Sequence, residues 1–449
     1  MVGLLQLPNE VLAIILDGLD AQGFSALRLT SKYANSATLV AFARQYFKTR
    51  YVMLSRLSLE NLVEISRHPV FGPAVRTLEI CTDHFDQFPD SYFHTTRHEG
   101  DIFVAIQEGR YLPAVVVDGY SSSEEERPSP REEDWEAGEG SPSFRNTHEA
   151  PVDEVAYKSL WEEQEHIIKC GLAQAHITQA LIALTNTDAI VISNMHRPWG
   201  ALAHGRQTGR APTNSSVDFG EPPFISQVLR IALTAIATSG VALRSLSITV
   251  GPAWETITPD ILRLSEAHLQ YYKSLPPSLT ELTLKISSEG KRDAVDHWAD
   301  DLLTFIGVFR QLTQLDLVIP PGGFGPHVNR LKEIVPKLQL PNLQDLGLCM
   351  VYCTVMDLGI LIMRHKATLQ SVTLDGVEVS GGIDHWRSLF ILIRDRFPTL
   401  RLYIQLCTTG GLFLYCQMEH EDGEDLQDIF DVGRNREDWE MAIQTMELK

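Results

Sequence analysis

The sequence predicts an α+β chain: a small three-helix unit at the N-terminus, followed by an irregular α/β solenoid of short strand-plus-helix units. Three observations predict it. Residues 4–20, "LLQLPNEVLAIILDGLD", concentrate apolar side chains at helical spacing. Further along, a hexapeptide of the form L-x-x-L-x-L keeps returning. Between its copies lie stretches patterned for helix, at 260–275, 293–311, 328–337, 354–367 and 384–397.

The first helix starts at Leu7-Pro8, because proline suits the opening turn, where its missing N–H leaves no bond unmade. Glu10 complements the positive end of the helix dipole. Val11, Ile14, Ile15 and Leu19 recur on one face, with Leu12 and Leu16 beside it. Asp20 can cap a second helix carrying Phe24, Leu27 and Leu29. Thr30 or Ser31 can cap a third, running through Tyr33, Ala34 and Leu39 toward Phe42. Three helices this short bury little surface by themselves. Apolar residues on several of their faces point to docking on something else. Pro8, Glu10 and Asp17 break the apolar run and no Lys or Arg precedes Arg28, so no secretory signal is expected.

The segment from Leu7 to Ala34, "LPNEVLAIILDGLDAQGFSALRLTSKYA", resembles an F-box. It has the Leu-Pro-x-Glu start, the Ile/Leu-rich helix and the Leu-rich turn ending in Ser31-Lys32. Tyr33 stands where a Trp often follows in that family. The extension "LSLENLVEISRHPVFGPAVRTLEI", Leu57 to Ile80, is similar to the one after the F-box in many fungal F-box proteins. The resemblance covers roughly the first 80 residues. It implies docking on the Skp-type adaptor of a cullin-based (SCF) ubiquitin ligase. Carried over by motif, Leu7, Pro8, Glu10, Val11, Ile14, Leu27, Leu29 and Lys32 would make that contact.

The expected organisation is an F-box at 1–45, linker helices and a first repeat-like strand at 46–118, and an acidic insertion at 119–150. A leucine-rich-repeat-like solenoid follows at 151–418, then an acidic cap or tail at 419–449. The insertion is rich in Ser, Pro, Gly and acid. Its stretch from Glu124 to Glu139 sets eight acidic residues against Arg127 and Arg131. Such a composition buries too little apolar surface to offset its ordering entropy, so disorder is expected. Ser129-Pro130 and Ser141-Pro142 have the form of proline-directed phosphorylation sites, but Ser-Pro pairs are common in such stretches and the ordinary reading is preferred. A second loop-like region is expected at 196–223, with Gly200, Gly205, Gly209, Pro212, Gly220, Pro222 and Pro223.

Good copies of the repeat are "LRSLSI" from Leu243, "LTELTL" from Leu279, "LTQLDL" from Leu312, "LQDLGL" from Leu343 and "LQSVTL" from Leu369. Weaker copies begin at Val75, Asp188 and Leu400. The good copies are 36, 33, 31 and 26 residues apart, an irregular spacing that makes the repeats degenerate. Alternation predicts that Leu282, Leu284, Leu315, Leu317, Leu346 and Leu348 point inward. The opposite face would carry Ser245, Ser247, Glu281, Thr283, Lys285, Gln314, Asp316, Asp345, Ser371, Thr373 and Asp375. These form a candidate binding face for an unknown target protein.

Across 449 residues the composition is 44% hydrophobic and 21% charged, with a net charge of −20. That charge disfavours nucleic acid, whose binders present Lys and Arg to phosphates. No segment approaches the ~20 apolar residues of a membrane helix. Six scattered cysteines do not form a disulfide framework, so a cytoplasmic or nuclear location is expected. "PPGGFGP" at 320–326 lacks the Lys-Ser/Thr of a nucleotide loop. Cys81 and His84, with His94 and His98, imitate zinc spacing, but Cys81 belongs to a predicted strand. Cys349 and Cys353 read as small buried residues, and Asp300-Asp301 as acids on the wet side of a helix. No metal, no cofactor and no catalytic constellation is expected. The function expected is a non-catalytic substrate receptor: Skp-type adaptor and cullin on one side, target on the other. The alternative is a non-degradative scaffold.

Overall fold

A computed structural model of the chain describes residues 11, 14–16, 18–86, 153–213, 224–251, 257–272, 278–288, 297–320, 328–416, 429–432 and 436–448. At the N-terminus, helical turns at Val11 and Ile14–Leu16 lead to the helices Ala21–Leu29 and Lys32–Tyr46. Asp20 caps the first of these, accepting from the Gly23 N–H at 2.7 Å. Ser31 caps the second, accepting from the Ala34 N–H at 3.0 Å. Each cap satisfies a backbone donor that the helix start leaves without an internal partner.

The rest is built on one sheet. Its strands are β1 (Thr49–Val52), β2 (Thr77–Cys81), β3 (Ala189–Ser193), β4 (Ser245–Thr249), β5 (Glu281–Lys285), β6 (Gln314–Val318) and β7 (Asp345–Cys349). After β8 (Tyr352–Thr354) come β9 (Ser371–Asp375), β10 (Glu378–Ser380) and β11 (Arg401–Gln405). Last are β12 (Thr408–Thr409), β13 (Leu412–Tyr415), β14 (Ile429–Val432) and β15 (Glu447–Leu448). The large sheet runs β1-β2-β3-β4-β5-β6-β7-β9-β11-β14, in chain order. Its first nine strands are parallel and β14 alone is antiparallel.

The register is continuous. Ser245, Glu281, Gln314, Asp345, Ser371 and Arg401 face one another from strand to strand. Side chains alternate across the sheet. Leu246, Leu282, Leu315, Leu346, Val372 and Leu402 therefore all point to one side, where they are buried. Parallel neighbours need a crossover. The helices supply it, packing side by side against that buried face. In the helix Trp298–Ile306 and the turn after it, Trp298, Leu302, Phe305 and Phe309 all join the core.

The expectation of an α+β chain ending in an irregular leucine-rich-repeat-like solenoid is corrected by this sheet. Nine in-register parallel strands with helices between them make an α/β fold. Spacing along the chain was a poor guide because the variable lengths fall in the connections and leave the strand register untouched.

Several elements carry no signal at the repeat period. β1 precedes the predicted strands and pairs with β2. A small sheet, β15-β13-β12-β10-β8, forms beside the large one. The region 196–223, expected to be loop, contains the helix Ala201–Thr208, opened and closed by Gly200 and Gly209 at φ 97° and 70°. Of the C-terminal segment 419–449, β14 pairs with the edge of β11, and the helix Arg436–Thr445 lies against the helix Ile383–Arg396. The acidic insertion at 119–150, with its Ser-Pro pairs, lies outside the described residues, as do Leu7, Pro8, Glu10, His94 and His98.

Candidate functional site

Two surfaces stand out. The first is the N-terminal helical unit. Its own core is small: Leu16 and Phe24, with Leu19, Leu27, Ala41, Phe42 and Tyr46 partly buried around them. Phe24 meets Phe42 at 5.5 Å and the edge of Tyr46 at 5.6 Å. The Arg28 guanidinium lies 3.7 Å over the Phe42 ring and donates to Asn35 at 2.9 Å. With so few residues inside, much apolar surface is left outside. Ile14 is 73% exposed and Leu29 86%, with Val11, Tyr33 and Val40 also exposed. Of the residues implied by the resemblance, Val11, Ile14, Leu29 and Lys32 are therefore open to solvent, whereas Leu27 packs into the unit's own core.

Phe47 joins this unit to the sheet. It touches Phe42 at 5.8 Å on one side and stacks on Phe71 at 4.2 Å on the other. Phe71 follows the helix Arg56–Arg67, whose Leu59, Leu62 and Ile65 belong to the main core. Arg50 lies over the Phe47 ring at 4.6 Å.

The second surface is the sheet face turned away from the helices. All of Ser245, Ser247, Glu281, Thr283, Lys285, Gln314, Asp316, Asp345, Ser371, Thr373 and Asp375 lie on it, half-exposed. Their aspartate carboxylates accept hydrogen bonds from uncharged donors. Asp316 accepts from the Gln314 amide at 2.9 Å and the Thr283 hydroxyl at 3.3 Å. The Ser371 hydroxyl donates to Asp345 at 2.5 Å, and the Cys349 thiol to Asp375 at 3.5 Å. Burial, then the Asp375 charge, pushes the Cys349 thiol up to about 12, so it stays protonated and is no nucleophile. Lys285 donates to the Gly251 carbonyl at 2.6 Å, and its burial pulls the ammonium below its ordinary value.

At the β2–β3 end the same face is covered. Glu79 is buried there, and its carboxylate accepts from the Ser193 hydroxyl at 2.5 Å and binds His196 Nδ1 at 3.0 and 3.1 Å. The His196 ring in turn lies 4.8 Å from that of Tyr51. The chain of bonds ends in a fixed histidine rather than in a free hydroxyl, since Ser193 Oγ also accepts from the Met195 N–H. Periodicity did not single out this cluster, because a buried Glu in an otherwise apolar strand looks like an outward residue.

Metal and acid–base readings find little to build on. Among the described residues no group of three His, Cys, Asp or Glu side chains is placed to hold a metal. Both ring nitrogens of His84 are engaged, with the Thr82 carbonyl and with Asp86. Asp300 and Asp301 are paired apart: Lys337 holds Asp300 at 2.6 Å, and Arg263 grips Asp301 through Nε and an outer nitrogen. Asp301 is largely covered, not on the wet side as its place in the pattern suggested. No protein-family model matches the chain, and no curated protein matches it.

Proposed function

We propose that this chain is a non-catalytic receptor subunit of a cullin-type ubiquitin ligase. Its N-terminal helices dock on a Skp-type adaptor, and the polar face of its sheet holds a target protein. The motif-level resemblance of Leu7–Ala34 to an F-box motivates the reading. One structural observation supports it: Ile14 and Leu29 stand 73% and 86% exposed on a unit too small to cover them. Several large apolar side chains left exposed on so small a helical unit suit a partner's docking. Such a receptor needs no active site. It raises the effective concentration of target lysines near a ubiquitin-bearing enzyme by holding both in one assembly.

The test is a pull-down with a purified Skp-type adaptor. Ile14→Ala and Leu29→Ala remove exposed methyl groups without opening the core, so the double variant should melt like the parent and lose the adaptor. Retention of the adaptor by a folded double variant would sink the docking site. Removal of residues 1–45 should also lengthen the half-life of captured targets. Unchanged half-lives would instead favour a non-degradative role for the same two surfaces.

A further inference from the structure

We propose that the sheet face across β5, β6, β7 and β9 takes a lysine- and arginine-bearing segment of a partner protein, its cations seated on Asp316, Asp345 and Asp375. This deepens the receptor reading, on which it rests only for the partner's role as a target. Two independent observations carry it.

The first is an uncovered parallel sheet. Parallel sheets are found with both faces covered. Here the helices cover one, while the outward positions of β4, β5, β6 and β9 alternate as half-exposed residues. A surface of this kind is completed by something laid across it.

The second is the charge on that surface. Adjacent strands lie about 4.8 Å apart and successive residues about 3.3 Å along each. The register sets Asp345 opposite Gln314 and Asp316 opposite Gly347, so these two carboxylates fall within about 10 Å, the screening length of dilute salt, while Asp375 lies four residues farther along the face from the row of Asp345. Arg401 stands exposed on β11 in the same row as Asp345, two strands away, yet among the described residues no cation forms an ion pair with these three carboxylates. Arg244 pairs with Glu281 at 3.3 Å, and Lys285 is turned to the Gly251 carbonyl. Asp316, Asp345 and Asp375 are held by hydroxyl, amide and thiol donors alone. Their position is also built in. A Cβ on Gly347 would come within 2.1 Å of Asp316 Oδ1, so the bare glycine is what lets that carboxylate lie flat on the face.

Charge then selects the occupant. The stretch from Glu124 to Glu139 is itself acidic, and a second copy of this chain would bring the same carboxylates. Like charges brought together oppose either pairing. A basic segment from another protein is the complementary partner.

The experiment uses the full-length chain and a fluorescein-labelled peptide rich in Arg and Lys, followed by anisotropy. Three variants are compared with the parent. The first replaces Asp316→Asn, Asp345→Asn and Asp375→Asn. The second is a charge-matched control on the helices, Glu162→Gln, Glu266→Gln and Asp384→Asn. The third is Thr373→Lys, which adds a cation in the middle of the face without removing a hydrogen-bonded carboxylate. The parent should bind in a salt-sensitive way. The face variant should lose about tenfold in affinity, three modest charge contacts combined. Thr373→Lys should weaken binding too, and the control should not. Should the triple Asn variant fail to fold, Thr373→Lys decides alone. Equal losses in face and control variants, or a glutamate-substituted peptide binding as well as the basic one, would overturn the proposal. So would a parent that ignores the basic peptide. None of these readouts involves the adaptor, so failure here leaves the docking of the N-terminal unit to its own test.

Discussion

Asp83 sits just past the end of β2, a residue only 8% exposed, and its Oδ2 has no hydrogen-bond partner among the described residues. Burial pushes this acid up to about 7, against smaller pulls downward from its own backbone, His84 and Arg197. A carboxyl that holds its proton more tightly when folded stabilises the fold at low pH. Its contribution is complete below the ordinary value of 3.8 and is lost as pH rises through about 7. At ~1.4 kcal/mol per pKa unit the span is on the order of 4 kcal/mol, an upper bound because neighbours relax toward an ionised carboxylate. Asp83→Asn keeps a neutral side chain at every pH. The variant should therefore exceed the parent in urea-melt stability at pH 8 and match it near pH 4. A gap that stays constant across that range would show that Asp83 does not titrate in the folded chain. His365 works in the opposite sense. Its Nε2 accepts from the Leu340 N–H at 3.3 Å, which leaves the proton on Nδ1, facing the Leu361 carbonyl at 2.9 Å. Burial pulls its pKa down, so its contribution is present above 6.5 and is lost as pH falls through the lowered value.

At the scale of elements, the helix Val355–Arg364 shows how tightly local chemistry fixes a boundary. Thr354 and Asp357 form a capping box, each side chain bonding the other's backbone N–H. Asp357 also accepts from the Asn329 amide at 2.7 Å, tying the cap to the preceding connection. Thr354→Ala should cost about 1 kcal/mol, the usual worth of an N-cap, read as a lower denaturation midpoint at unchanged slope. A cost near zero would mean that the Asn329 contact carries the boundary alone. Elements of this kind were readable in advance to an uneven degree. Every L-x-x-L-x-L copy, from Val75 to Leu400, became a strand of the large sheet. The residues assigned inward, such as Leu284 and Leu317, are fully buried. A leucine at every second position can bury itself only by forming a strand on a covered face. By contrast, β1 has a single buried residue and β8, β10 and β12 are two or three residues long, too short for alternation to register. Nor does periodicity say which strands pair. Pairing is non-local, so the single parallel face followed from the sequence only on the assumption that successive strand-plus-helix units stack on one another. The same limit governs the surfaces. The residue types on the open face were legible from β4 to β9, yet the exposure of Leu29 against the partial burial of Leu27 depends on Phe24 and Phe42 meeting across two helices.

For the whole molecule the decisive question is how the two surfaces are held relative to each other. A receptor that only tethered its target would work with a loose joint. One that presents lysines to a fixed enzyme needs a stiff joint, because effective concentration falls when the held groups sample more space. The joint here is aromatic. Phe24, Phe42, Phe47 and Phe71 run in sequence from the core of the N-terminal unit to the main core, with centroid distances of 5.5, 5.8 and 4.2 Å. His68 stacks on the far side of this run, 4.1 Å from Phe71. Phe47 packs against the main core and also touches Phe42 of the N-terminal unit. Phe47→Ala removes a partly buried ring and should cost a few kcal/mol, about 3 at most for a site that is not fully enclosed. If the joint matters for transfer, the variant should still capture the Skp-type adaptor and still bind the basic peptide, while ubiquitin transfer to a captured target slows. Phe47→Tyr, which keeps the stack on Phe71, should restore transfer. Unimpaired transfer by Phe47→Ala, with both partners bound, would show that tethering suffices and that stacking serves stability alone.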